Sequence, residues 1–220
     1  MIPFDRLLKT MLQPWVAMGY LCFVVLSFFY FDKPVAYFFH GLPLKAKLPL
    51  LSLVSMVGVG FAYIAVFFLL ALFFRYIHRS KEYEARSWFL WLCVLIPNLI
   101  CLVFKLLLGR ARPELLFDSQ LYGIYGMHFT RPFWSFPSGH TTTITGLVFG
   151  LCVVFPRHCY AFLFAGLLVI STRVILTQHY LSDVLTTAYL TLLEVGLVLI
   201  ILRRKAWLSS VYRGEHEKAS

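Results

Sequence analysis

Six separate stretches of this chain stay apolar for about the thickness of a bilayer's hydrocarbon layer. They run over about Trp15–Phe31, Leu48–Phe74, Trp88–Leu108, Ser138–Phe155, Tyr160–Leu181 and Val184–Leu202. A helix needs roughly 20 apolar residues to cross that layer. In lipid every backbone N–H and C=O must be paired within the segment, so a lone apolar run of this length resolves as a helix. Of the 220 residues 60% are hydrophobic and 14% charged, against roughly 25% charged in a soluble domain. The sequence therefore predicts an all-α, polytopic membrane protein. It is expected to be a six-transmembrane-helix bundle forming one domain over residues 1–220, with no separate soluble domain.

The formal net charge is +10. A nucleic-acid partner is not needed to explain it, because the excess is sorted by side. Arg6, Lys9, Arg75, Arg79, Lys81, Arg86, Arg157, Arg203, Arg204, Lys205, Arg213 and Lys218 fall on one side of the six-span layout; Lys33, Lys45, Lys47 and Arg131, with Lys105, Arg110, Arg112 and Arg173 at the span ends, fall on the other. By the positive-inside rule both termini are then cytoplasmic. The first run lacks a small-residue cleavage pattern after it, so it is read as a span and not as a cleaved signal. Cys22, Cys93, Cys101, Cys152 and Cys159 all lie in or beside apolar runs without metal-ligand spacing, and read as small buried hydrophobes. One connection is long, Gly109 to Pro137. Its aromatic content predicts an ordered segment at headgroup depth.

Three polar constellations interrupt the apolar pattern, and all fall at the outer side. The first is KLLLGRARP, with Lys105, Arg110 and Arg112 within eight residues. Snorkelling to headgroups is one account; a clamp on phosphate oxygens is the other. The second is FPSGH, Phe136 to His140. Pro137 and Ser138 form a helix entry, where the backbone N–H groups of Ser138, Gly139 and His140 would lack helical partners and attract an anion. The threonines that follow are expected to cap, to bond back to the helix or to line a cavity. The third is TRVILTQHYLSD, with Arg173, His179 and Asp183. His179 and Asp183 share a face if one helix carries both, and a carboxylate on one ring nitrogen fixes the tautomer of the other. Arg173 lies deeper and is expected to face the bundle interior. Convergence of three such sets on one side favours a single reaction site.

Taken together these residues resemble the type 2 phosphatidic acid phosphatase superfamily of lipid phosphate phosphatases. That family carries K-x6-R-P, then P-S-G-H, then S-R-x5-H-x3-D. Here the first is Lys105 through Arg112-Pro113, and the second is Pro137-Ser138-Gly139-His140. The third is Arg173, His179 and Asp183, with Thr172 where the family usually has Ser. The resemblance implies His179 as the nucleophile, Asp183 as its orienting partner and His140 as the general acid. It implies Lys105, Arg112, Ser138, Gly139 and Arg173 as the phosphate-binding set. It implies a phosphohistidine intermediate with no cofactor and no metal, in keeping with the lack of a carboxylate cluster or an H-E-x-x-H pattern. Arg110 is not a fixed motif position and is assigned a headgroup contact with a smaller role.

The expected function is an integral-membrane phosphatase acting on a phosphorylated lipid at the outer face of a cytoplasmic (inner) membrane; in an ER membrane the same face would lie in the lumen. Candidate substrates are undecaprenyl diphosphate, phosphatidylglycerophosphate, phosphatidic acid and the lipid A phosphates. A lipid phosphotransferase shares the same intermediate and differs in the acceptor. A transporter for anionic headgroups would also use intramembrane Arg and His, but it leaves the His–Asp pair and the ordered motifs unexplained.

Overall fold

The computed structural model describes residues 1–42 and 49–204. Its helices are α1 (Pro3–Met11), α2 (Pro14–Leu26), α3 (Asp32–His40), α4 (Pro49–Met56), α5 (Gly60–Tyr76), α6 (Lys81–Leu108), α7 (Pro113–Ser119), α8 (Gly139–Val154), α9 (Cys159–Ile175) and α10 (Leu181–Arg204). Among the described residues the only β pairing is one isolated antiparallel bridge, Arg110 with Ile124. The all-α expectation holds.

Among the described residues four helical segments are long and apolar enough to cross a membrane: Pro14–His40, Lys81–Leu108, Pro156–Ile175 and Leu181–Arg204. The chain is a multi-pass membrane protein. The other two expected spans correspond to shorter apolar helices, α5 with 17 residues and α8 with 16. Six apolar stretches thus become helices, but only four of the segments reach spanning length among the described residues.

Two spans differ from their sequence expectation for a visible reason. The first continues past Phe31, because a π-helical turn, Ser27–Phe31, joins α2 to α3 without a break. The second, expected as Leu48–Phe74, divides into α4 and α5 at residues 57–59; Leu48 lies outside the described residues. There the backbone runs hard against α8. A Cβ at Gly58 would sit 2.7 Å from the His140 ring, and one at Gly60 would sit 2.6 Å from Thr143 Oγ1.

Helix α8 is the axis of the bundle. It packs on α6, α9 and α10 and is buried along most of its length. Small residues let the helices approach closely: a Cβ at Gly146 would lie 2.4 Å from the Cys93 carbonyl oxygen of α6. Helix α1, which no apolar run marks, is amphipathic. It seats Phe4 against Phe149 (ring centroids 5.9 Å apart) near the C-terminal end of α8. The polar site lies at the other end of α8, so α1 and the site occupy opposite ends of the bundle.

The long connection after α6 is ordered, as expected. It turns at Gly109, whose φ is +52° and where a Cβ would lie 1.9 Å from the Gly126 carbonyl oxygen. It then folds back on the helix end through Tyr125 N–H to Gly109 O (3.1 Å) and Gly126 N–H to Leu108 O (3.1 Å). Two further bonds fix its ends over the site: Arg112 N–H to Pro132 O (2.9 Å) and Ser135 N–H to Arg110 O (3.0 Å).

Candidate active site

The cations of the first constellation meet the strand of chain that enters α8. Lys105 Nζ donates to the Trp134 carbonyl at 3.0 Å, and Arg112 Nη2 approaches the same oxygen at 3.4 Å. A Cβ at Gly139 would lie 3.8 Å from Lys105 Cε, so the bare face of Gly139 looks toward that lysine. Arg173, 7% exposed, points inward as expected and bonds Ser55 Oγ of α4. Arg112 Nε and Arg173 Nε are buried donors without a partner among the described residues. The fields of Arg173, Arg112, Lys105 and Arg131 all fall on His140.

Ser138 caps α8. Its Oγ accepts from Thr141 N–H at 3.4 Å. The expectation that its own N–H is free is corrected: that group donates to Thr187 Oγ1 at 3.0 Å. Gly139 and His140, as the first helical residues, keep N–H groups with no carbonyl one turn back. The threonines bond back to the helix, as Thr142 Oγ1 does to Ser138 O (3.0 Å) and Thr145 Oγ1 to Thr141 O (2.7 Å). His140 opens onto a cavity of about 220 Å³ lined also by Ser55, Met56, Val59, Arg173, Leu176 and Gln178. The cavity therefore joins residues of the second and third constellations.

His179 does not lie on a helix shared with Asp183. Helix α9 ends at Ile175, and Gln178 and His179 close the turn by donating to the Arg173 carbonyl at 2.9 and 3.2 Å. Asp183 sits in the first turn of α10. His179 Nδ1 lies 2.6 Å from the Ser135 carbonyl oxygen and 3.9 Å from Asp183 Oδ2. A carbonyl can only accept, so Nδ1 carries a proton and the neutral ring leaves its Nε2 lone pair free. Burial holds the imidazole well below its usual pKa, with the Asp183 contact pulling the other way, so the ring is neutral at pH 7.

Asp183 is fully buried and held from several directions. Oδ2 accepts from Ser135 Oγ at 2.6 Å and from Tyr180 N–H at 3.0 Å, and Oδ1 pairs with Arg110. This corrects the reading of Arg110 as a headgroup contact. Arg110 is 3% exposed and also pairs with Asp32 at 2.7 Å. Asp32 and Ser135 carry no mark in the sequence, and Arg110, marked as one of three clustered cations, meets two carboxylates instead. Among the described residues no three of His, Cys, Asp and Glu come together as metal ligands.

Comparison with known proteins gives the chain a family. The PAP2 superfamily model matches residues 86–207. A lipid A 1-phosphatase of Rhizobium johnstonii is 30% identical over 174 residues, covering 74% of this chain and 69% of its own. A lipid A 1-phosphatase of Rhizobium etli is 33% identical over 102 residues, covering 45% of this chain and 44% of its own. No solved structure matches the chain significantly. The family model spans the α6 end, the α8 entry and the α9–α10 turn that together build the site, and on that match the chain belongs to the PAP2 superfamily.

Proposed function

We propose that this chain is a membrane lipid phosphatase that works through a phosphohistidine on His179 without a metal. The observation that carries the reading is the 2.6 Å approach of His179 Nδ1 to the Ser135 carbonyl oxygen, which assigns the ring proton to Nδ1 and leaves Nε2 as a neutral nucleophile. In the first step Nε2 attacks phosphorus and the P–O bond to the lipid breaks. His140 gives its proton to the leaving oxygen. In the second step water attacks phosphorus, the P–N bond breaks, and His140 takes the proton from that water.

Lys105, Arg112 and Arg173 hold the phosphoryl oxygens and stabilise the charge of the transition state, with the Gly139 N–H beside them and Ser138 fixing the helix entry. The unpartnered Nε groups of Arg112 and Arg173 suit that task. The arriving phosphate dianion offsets the positive field on His140 and favours its protonated, acid form. Asp183 fixes the frame in which His179 sits.

The relatives' name makes a lipid A phosphate the first substrate to try. The positive-inside rule supports a cytoplasmic membrane with both termini inside and the site at the outer face as part of this reading. The test is phosphate release by purified protein from lipid A 1-phosphate, undecaprenyl diphosphate, phosphatidylglycerophosphate and phosphatidic acid, in EDTA, beside His179→Ala. Release that survives EDTA and vanishes in the variant is the expected result. Loss of release in EDTA, or full activity of His179→Ala, overturns the mechanism. A phosphoryl group found on a second lipid and not on water would make the enzyme a phosphotransferase.

A further inference from the structure

We propose that Asp32 is a positioning residue of the active site: through Arg110 and Ser182 it fixes Asp183 and the turn that carries His179. The proposal rests on the phosphatase reading for its kinetic consequence. Asp32 begins α3, far outside the segment matched by the family model, residues 86–207. It is 1% exposed, yet it makes four polar contacts. Oδ2 pairs with Arg110 Nη2 at 2.7 Å, accepts from Ser182 Oγ at 2.5 Å and lies 3.1 Å from the Tyr122 hydroxyl. Oδ1 accepts the Ser182 backbone N–H at 2.9 Å.

These bonds have two effects on the site. Ser182 is the second residue of α10, so its N–H is among those that a helix leaves unpaired. Asp32 supplies the missing acceptor from another span and anchors the helix start on which Asp183 sits. Arg110 is shared between two carboxylates, Asp32 on Nη2 and Asp183 on Nη1, with Ser182 Oγ also on Nη1 at 2.9 Å. Arg110 Cζ lies over the Phe28 ring (4.7 Å) and over the Tyr180 ring (4.8 Å to the centroid). Neutralising Asp32 releases one side of this fork. Arg110 is then free to turn toward Asp183, which carries Ser135 and Tyr180 with it. Ser135 in turn holds His179 Nδ1. The phosphate-binding cations are not bonded to Asp32, so binding and turnover should separate.

The test compares wild type, Asp32→Asn and Ser182→Ala in detergent, with two readouts. One is steady-state phosphate release with inhibition by inorganic phosphate. The other is the ¹⁵N imidazole spectrum of histidine-labelled protein, with the His179 resonances assigned by their loss in His179→Gln. In Asp32→Asn, kcat should fall about 100-fold, as for a reacting group displaced by a fraction of an ångström to an ångström. KM and the phosphate inhibition constant should stay within about twofold, and the His179 resonances should shift.

Wild-type kcat with unmoved His179 resonances in folded Asp32→Asn overturns the proposal, as does a loss confined to KM. If Asp32→Asn does not fold, Ser182→Ala decides. It removes the two Oγ ties, to Asp32 and to Arg110, and keeps the ion pair and the backbone N–H bond to Asp32, so a smaller kcat loss at constant KM supports the proposal and wild-type behaviour overturns it. If wild type releases phosphate from no lipid, the phosphatase reading fails, and the His179 resonances alone decide the role of Asp32.

Discussion

The carbonyl oxygen of Ser135 lies 2.6 Å from Nδ1 of His179, and the Ser135 hydroxyl lies 2.6 Å from Oδ2 of Asp183. One buried serine thus holds both members of the His–Asp pair, which are themselves 3.9 Å apart. Fixing the ring tautomer, which the i, i+4 spacing assigns to Asp183, falls to a backbone carbonyl. Ser135→Ala should then act on Asp183 alone, since the carbonyl remains. A hydrogen bond to a charged group contributes about 1.5–3 kcal/mol, so the variant should lose about that much stability and roughly tenfold in kcat. The Nδ1-protonated tautomer should persist in its ¹⁵N spectrum. A switch of tautomer would show that the hydroxyl, not the carbonyl, sets the ring.

Arg110 should be among the costliest residues to remove. Its loss leaves Asp32 and Asp183 buried without their shared cation. Breaking a buried pair by deleting one partner costs about 3–5 kcal/mol. Arg110→Ala should therefore lower the unfolding midpoint sharply in detergent, and Arg110→Lys should not restore it. One ammonium cannot span the two carboxylates that the guanidinium fork reaches. An unchanged midpoint in Arg110→Ala would return this residue to the headgroup role that its place in the sequence indicates.

How far the sequence can be read depends on whether a feature leaves a local pattern. Helix type and order are legible because bilayer thickness imposes a run length. Lys105, Arg112, His140, Arg173, His179 and Asp183 are legible because the chemistry needs fixed residue types at fixed spacing. Asp32 is not, because its partner Arg110 is 78 residues away and neither neighbourhood marks the pairing. Ser135 reads as loop, since its task depends on backbone position. Two misses did carry a signal. The VGVG segment around Gly58 and Gly60 marks the break in the second span. Phe4 and Leu8, four residues apart with Asp5, Arg6 and Lys9 between and beyond them, mark the amphipathic α1.

Gly58 offers a test of the His140 assignment that leaves every charged group in place. A Cβ there would lie 2.7 Å from His140 Cδ2 and 2.9 Å from its Cβ, closer than atoms pack. Rotation of the ring cannot relieve the contact with His140 Cβ, so the Gly58 segment and the start of α8 must move apart, and the imidazole is displaced relative to the cavity it lines. Gly58→Ala should lower kcat by about 100-fold, the effect of a misplaced acid. The cation set should still bind inorganic phosphate as in wild type. Kinetics of Gly58→Ala beside His140→Ala check this. Wild-type kcat in Gly58→Ala would mean that His140 does not work from the position it holds here.

The neutral state of His179 also predicts how stability depends on acidity. Burial pushes this imidazole well below its ordinary 6.5; the Asp183 contact opposes that shift, and the fields of Lys105 and Arg112 add to it. Below about pH 6.5 the unfolded chain takes up a proton here that the folded chain refuses, so unfolding gains on folding as pH drops. The contribution is fully present above the unfolded value and is lost as pH falls toward the folded one. The slope from one such group approaches about 1.4 kcal/mol per pH unit. His179→Gln has no proton to take up and should lack that slope. The difference in unfolding midpoint between wild type and His179→Gln in detergent, followed from pH 7.5 down to 4.5, should therefore move in the variant's favour as the solution is acidified. Parallel curves would mean that His179 titrates alike in both states, and the neutral nucleophile would have to be given up.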